Sequence, residues 1–378
     1  MTRPILPKER PALPAGLWSK FLRLKETGLL GVMLALGLAL TIFGGSLEIR
    51  EPHTGATQSV NKFLRADNLS MLANNASFFA IMAIGEAFVI ITGGIDLSVG
   101  AIYCLSAVCG AMFLSHFGPA GAGSGHSTLL IIPATVALCL SVGTLCGLLN
   151  GAGIVCLRIH PFVITLGTMA IYRGVAFVMT KAQAYTNFPP SFTDGLIRYQ
   201  FLWGRHVIHP VPLIIMICVT IFAGWYLKHT VNGRYLFAIG GNEQAALFSG
   251  LPVGKLKLKV YAFSGMTAGI ASVIMLGFYG SASSGAGAGY ELEVIAAAVV
   301  GGASLVGGRG TALGALLGAL IIQMIGNGII ILNIDQNYSQ IIIGSVIILA
   351  VFWDRLNSLL RERRMTRAAP SANSTISS

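Results

Sequence analysis

Apolar residues along this chain run in unbroken stretches, and whole stretches of about twenty residues carry no charge. A soluble chain of this length would alternate apolar and polar faces along its elements. A helix needs about 20 apolar residues to cross roughly 30 Å of hydrocarbon. That test finds candidate spans at about 28–49, 69–91, 97–117, 128–157, 161–180, 208–227, 260–280, 291–306, 311–333 and 338–353. The pattern predicts an all-α integral membrane protein with about ten transmembrane helices. The eighth span is short, and only Thr92-Gly93-Gly94-Ile95-Asp96 separates the second from the third. A re-entrant hairpin at either place would change the count but not the class.

Composition agrees. Of 378 residues, 54% are hydrophobic and 10% charged, against about a quarter charged in soluble domains. The 47 glycines suit membrane helices, where small residues let backbones approach closely. A net charge of +11 would fit nucleic acid, but the basic residues sit in tails and loops rather than on one amphipathic face. The segment 28–47 is too long for a signal-peptide core and lacks a clear cleavage site, so it reads as a retained first span. The six cysteines lie inside apolar stretches without a C-x-x-C pair, and the seven histidines form no H-E-x-x-H; both read as packing rather than metal chemistry.

Lys and Arg set the direction of the spans. With the N-terminus inside and ten spans threaded, eighteen of the twenty-five basic residues fall on the inner side, six outside, and Arg173 within a span. Both termini are then cytoplasmic: a tail at 1–27, a permease body at 28–355 and a second tail at 356–378. The longest inner connection, about 228–259, carries Gly240-Gly241-Asn242-Glu243 and ends its middle section at Gly250. Asn242 can cap a short helix, Glu243 suits its positive end and Gly250 can terminate it. Beside the plain reading as a loop helix stands a functional one, a docking helix for a cytoplasmic partner.

Gly143-x-x-x-Gly147-x-x-x-Gly151 and Gly310-x-x-x-Gly314-x-x-x-Gly318 each put three glycines on one helical stripe, a close-packing face within the subunit. In Gly93-Gly94-Ile95-Asp96-Leu97-Ser98-Val99-Gly100 the glycine pair loosens the backbone and Asp96 is placed to cap the next helix. Gly301-Gly302-Ala303-Ser304-Leu305 echoes that string on the same side. Glu86, Asp96 and Arg173 are the ionisable groups within or beside apolar runs. Each costs on the order of 2.5–3.5 kcal/mol at a helix centre, so each needs a partner or a wet interior; a Glu86–Arg173 pair is one arrangement. Asn74, Asn75, Asn150, Tyr172, Gln323 and Asn327 add uncharged polar groups suited to a hydroxyl-rich solute, although amides also join helices. With Glu86, Asp96 and Arg173 they are the candidate translocation path. No catalytic constellation stands out. Gly250-Leu251-Pro252-Val253-Gly254-Lys255 has one residue too few between its glycines for a phosphate loop and is followed by Leu256.

Four strings, in order, carry a family resemblance: Thr92 to Gly100; Ala238-Ile239-Gly240-Gly241-Asn242-Glu243 on through Ser249-Gly250-Leu251; Tyr290-Glu291-Leu292-Glu293-Val294-Ile295-Ala296-Ala297; and Val300-Gly301-Gly302-Ala303-Ser304-Leu305 to Gly310. Over residues 65 to 355 the chain resembles the permease subunits of bacterial ribose/xylose-type sugar ABC importers. The resemblance implies a bacterial inner-membrane protein that is not itself an enzyme. It implies a second permease subunit, identical or closely related, a periplasmic sugar-binding protein and a cytoplasmic ATPase. This chain then holds no cofactor, ATP and Mg residing in the ATPase. The ATPase would dock on about 240–254, through Gly241, Asn242, Glu243, Ala245, Ala246, Ser249 and Gly250. The docking pattern E-A-A-x-x-x-G is present with one residue inserted after Glu243. Two alternatives remain at this point: a secondary transporter with Glu86 and Asp96 as proton carriers, and an ABC permease for a non-sugar solute.

Overall fold

The computed structural model describes residues 26–50, 57–203, 206–346, 348, 349 and 352. Most of the expected 1–27 tail and all of the 356–378 tail lie outside the described residues. The helices are α1 (Thr27–Phe43), α2 (Ala66–Ile91), α3 (Val99–His116), α4 (Thr128–Leu157), α5 (Pro161–Thr180), α6 (Pro210–His229), α7 (Val231–Gly241), α8 (Glu243–Phe248), α9 (Val253–Tyr279), α10 (Tyr290–Val300) and α11 (Ala312–Ile331). A last helix starts at 339. Two antiparallel hairpins, β1 (Ser46–Arg50) with β2 (Thr57–Asn61) and β3 (Phe201–Trp203) with β4 (His206–Ile208), punctuate the connections.

Among the described residues, seven helices are long and apolar enough to cross a membrane: α2, α3, α4, α5, α6, α9 and α11. They coincide with seven of the ten expected spans. The first expected span is a 17-residue helix, and the tenth runs past the described residues. The eighth, expected over 291–306, is the 11-residue α10, about 16 Å long at 1.5 Å per residue. Gly289 (φ +87°) precedes it, and Gly301 with Gly302 (φ +93°) ends it. The preceding segment, 280–289, is irregular but well supported by protein. Ala282 and Tyr185 form a backbone bridge, and the Ser283 and Ser284 carbonyls face the Cys104 thiol at 3.7 and 3.3 Å. Non-helical backbone is tolerated in a bilayer only where protein or a wet cavity covers it.

The core forms around α2, on which every residue from Ala76 to Ile91 is buried. A helix apolar on all sides belongs in such a position. The reverse holds for α5 and α6, whose Ile171, Val178, Ile221 and Trp225 are exposed, as lipid-facing side chains must be. Between α4 and α9 the expected glycine stripe does its packing inside one chain. A Cβ at Gly143 or Gly147 would meet the carbonyl oxygens of Gly265 and Tyr261, and a Cβ at Gly269 would lie 2.6 Å from the Cys139 carbonyl. The second stripe sets Gly314 and Gly318 against the carbonyls of Gly301 and Ala297, joining α11 to the end of α10.

These contacts make a differential prediction. Gly147→Ala forces α4 and α9 apart and should cost about 1–3 kcal/mol, the usual range for overpacking. Gly224→Ala, on α6 with nothing within 4 Å of its Cβ, should be neutral or slightly stabilising. Unfolding in detergent, followed for both variants, checks the difference.

Candidate functional site

The connection between α6 and α9 folds as its sequence suggests. Thr230 Oγ1 accepts from Gly233 N at 3.0 Å and starts α7. Asn242 Oδ1 accepts from Ala245 N at 2.9 Å and caps α8, while Gly250 adopts φ +78° and closes it. Only glycine takes that left-handed turn without strain. Glu243 also pairs with Lys257 at 2.6 Å, fastening α8 to the first turns of α9. Gly241, Asn242, Glu243, Ala245, Ser249 and Gly250 are exposed. Ala246 is not; it is buried and turned into the chain. The large apolar side chains exposed on α8 are Leu247 and Phe248, at 54% and 86%. Neither was among the docking candidates, although an apolar pair on a short loop helix was signal enough.

Behind α8 the backbone contacts are bare. A Cβ on Gly240 would collide with the Ile91 carbonyl and the Gly308 amide. Gly308 N donates to Ile91 O at 2.9 Å. Gly307, at φ +94°, lies against Gly240 and Gly93. The glycine pairs 93–94, 240–241 and 307–308 therefore meet where α2 ends, α7 ends and the α10–α11 connection turns. Without side chains to cushion the junction, movement of α7 and α8 bears directly on the other two segments.

A buried polar network lies beyond this junction. Glu86, on α2, accepts the Asp96 backbone N–H at Oε1, 3.1 Å away. Asp96 Oδ1 accepts from the Ser98 amide at 2.9 Å and the Ser98 hydroxyl at 2.6 Å. Asn150, on α4, donates from Nδ2 to Ser98 Oγ at 2.7 Å, and Tyr172, on α5, donates towards Asn150 Oδ1 at 3.2 Å. Thr165 Oγ1 reaches the Ile95 carbonyl at 3.3 Å. Glu86, Asp96, Ser98 and Asn150 are wholly buried. Asp96 thus braces the residue before α3 in an Asx-type turn rather than capping the first turn of the helix as expected. The network ties the irregular segment 92–98 to three helices. Glu86 Oε2, Asp96 Oδ2, Tyr261 Oη and Ser264 Oγ are buried without a partner among the described residues.

Arg173 does not meet Glu86. Its guanidinium donates to the carbonyls of Ala286 and Gly287 at 3.2 and 3.1 Å and faces Glu291 at 4.0 Å. It pins the irregular lead-in to α10 onto α5. The other path candidates lie apart from both groups. Asn74 is buried near Ser70, and Asn75 accepts from Tyr279 Oη at 3.0 Å. Asn327 exchanges two hydrogen bonds with Asn68, at 2.7 and 3.2 Å, joining α11 to α2. Gln323 is half-buried on α11. Among the expected path residues, the structure unites Glu86, Asp96 and Tyr172 with Asn150 and separates the rest. Tyr261, Ser264 and Glu291 were missed, because a hydroxyl or carboxylate within a span is recognisable as polar but its neighbours are not.

Residues 68–351 match the protein family described as "Branched-chain amino acid transport system / permease component". The chain is 38% identical to the ribose import permease protein RbsC of Escherichia coli K12 over 293 residues, 77% of this chain and 87% of that protein. It is 33% identical to the D-allose transport system permease protein AlsC of E. coli K12 over 329 residues, covering 87% and 92% of the two. To the autoinducer 2 import system permease protein LsrD of Yersinia enterocolitica it is 36% identical over 280 residues, 72% and 78%. No solved structure matches.

Proposed function

Because the chain belongs to the family of branched-chain amino acid transport system permease components, we propose that it is the membrane-spanning permease subunit of a bacterial ABC importer for a monosaccharide-like solute. The sugar reading follows the relatives named for ribose and D-allose. In this reading the chain sits in the inner membrane with both termini in the cytoplasm. A second permease subunit completes the path, a periplasmic binding protein presents the solute, and a cytoplasmic ATPase holds ATP and Mg.

One observation carries the reading: α8 presents Leu247 and Phe248 outward from a segment locked by glycine backbone to α2 and to residues 307–308. An exposed apolar pair on a short, capped helix is a surface for a protein partner. Closure of nucleotide-bound ATPases would push on α8. The glycine junction would pass that push to the lower end of α2, to segment 92–98 and to α10, alternating the access of a path between the helices. Energy enters through the partner, so the permease needs only bistable packing.

The proton-coupled alternative requires Glu86 and Asp96 to exchange protons with solvent, yet both are wholly buried and bonded within segment 92–98. Reconstitution separates the two. In proteoliposomes with the ATPase and binding protein, labelled sugar should accumulate on addition of ATP. The permease alone under an imposed pH gradient should accumulate none, and uptake there would favour the proton-coupled reading.

A further inference from the structure

Between α2, α6, α7 and α9 runs an apolar groove of about 210 Å³, lined among others by Phe88, Phe222, Tyr226, Leu236 and Phe263. Phe88 packs on Phe263 and Tyr226 with ring centroids 4.6 and 5.8 Å away, giving the groove an aromatic floor. Of the lining residues, Phe222 is 50% exposed, and on α6 it is flanked by Ile221 and Trp225, exposed at 67% and 53% as lipid-facing side chains are. Lys259 is the single charged side chain among the lining residues. It has company: from Pro210 to Tyr279 the chain carries Lys228, Arg234, Lys255, Lys257 and Lys259 against the lone acid Glu243. That acid is taken by Lys257. Lys255 stands one helical turn before Lys259 on the same face of α9. Lys228, Arg234, Lys255 and Lys259 make no ion pair among the described residues.

We propose that this groove is a binding site for an anionic phospholipid, with an acyl chain against Phe88, Phe222 and Phe263 and the headgroup phosphate at Lys259. The apolar floor calls for a hydrocarbon chain, which inorganic phosphate lacks. The unpaired cations call for a negative headgroup, which a zwitterionic lipid supplies poorly. A basic segment of protein would be repelled by the same cations. A lipid seated there braces α7 against α9, immediately beside the glycine junction, and so makes the stiffness of that junction depend on the membrane. The site's assignment to the inner leaflet rests on the inward placement of α8, whereas lipid retention does not depend on the ATPase or on sugar.

The test is native mass spectrometry of the purified full-length chain, loaded with phosphatidylglycerol or phosphatidylcholine of identical acyl chains. One lysine near a membrane surface favours an anionic lipid by about five-fold, so the parent should retain phosphatidylglycerol at least about five-fold over phosphatidylcholine. Lys259→Gln should lower that preference by about five-fold at an unchanged melting temperature, and Lys259→Arg should keep it. Equal retention by the parent, an undiminished preference in Lys259→Gln, or displacement of the lipid by inorganic phosphate would overturn the proposal. A failed lipid test alongside ATP-driven sugar uptake would leave the permease reading standing.

Discussion

Changing Leu247 and Phe248 together to aspartate should abolish co-purification of the ATPase while leaving the permease folded and inserted. Phe248 is 86% exposed and Leu247 54%, so the fold loses little buried apolar area at the first and only part of a side chain's at the second. An interface seated on them loses its central contacts instead. Anchors of this kind contribute about 2 kcal/mol or more apiece, so the pair should weaken binding by more than about a hundredfold, below what survives purification. Ala246 behaves differently, because it is buried. Enlarging it to leucine should lower the unfolding temperature first and affect ATPase binding only through that. Comparing pull-down yield with detergent unfolding temperature for the two variants separates a contact surface from a structural support. A double aspartate variant that still brings down the ATPase would remove α8 from the interface.

The second large effect is expected at Asp96. Asp96→Ala leaves the Ser98 amide and the Ser98 hydroxyl without their acceptor inside a site closed to water. Each buried polar group so abandoned costs about 1–3 kcal/mol, and the total should be about 3–5 kcal/mol of stability. Asp96→Asn keeps an acceptor oxygen and should cost less. Glu86→Gln likewise keeps an oxygen for the Asp96 backbone N–H and should cost under about 1 kcal/mol, whereas Glu86→Ala gives up that bond. The series doubles as a check on proton coupling. If Glu86→Gln unfolds normally and still supports ATP-driven uptake, the carboxyl serves as an acceptor for segment 92–98 and carries no proton.

What could be read in advance divides by range. Asn242 with Gly250, and the glycine stripe of α4, came out as read because capping and helical spacing are local: the residues that matter lie within one or two turns of each other. The stripe's partners on α9 were not specified, although Gly265 and Gly269 repeat the same spacing. Span counting succeeded where a helix is both continuous and apolar. It overreached at 291–306, where an apolar run continues through Gly301 and Gly302 although the helix cannot. Arg173 shows the long-range limit. Its need for a partner followed from the cost of a buried charge, but its carbonyl acceptors are 113 and 114 residues away, and Glu86 was as plausible a counter-charge from sequence as Glu291. The junction of Ile91, Gly240 and Gly308 was hidden for the same reason. Three glycine pairs were visible, and nothing in their spacing said that they meet.

Attaching α8 to the ends of α2 and α10 matters only if α8 faces the compartment that holds ATP. The most direct measurement is sidedness labelling at an exposed α8 position. Gln244→Cys, in a chain with Cys109, Cys156 and Cys218 changed to alanine to silence the less buried thiols, supplies the probe. A membrane-impermeant maleimide should modify it in inside-out vesicles and leave it untouched in intact cells. Labelling from outside intact cells would contradict the account.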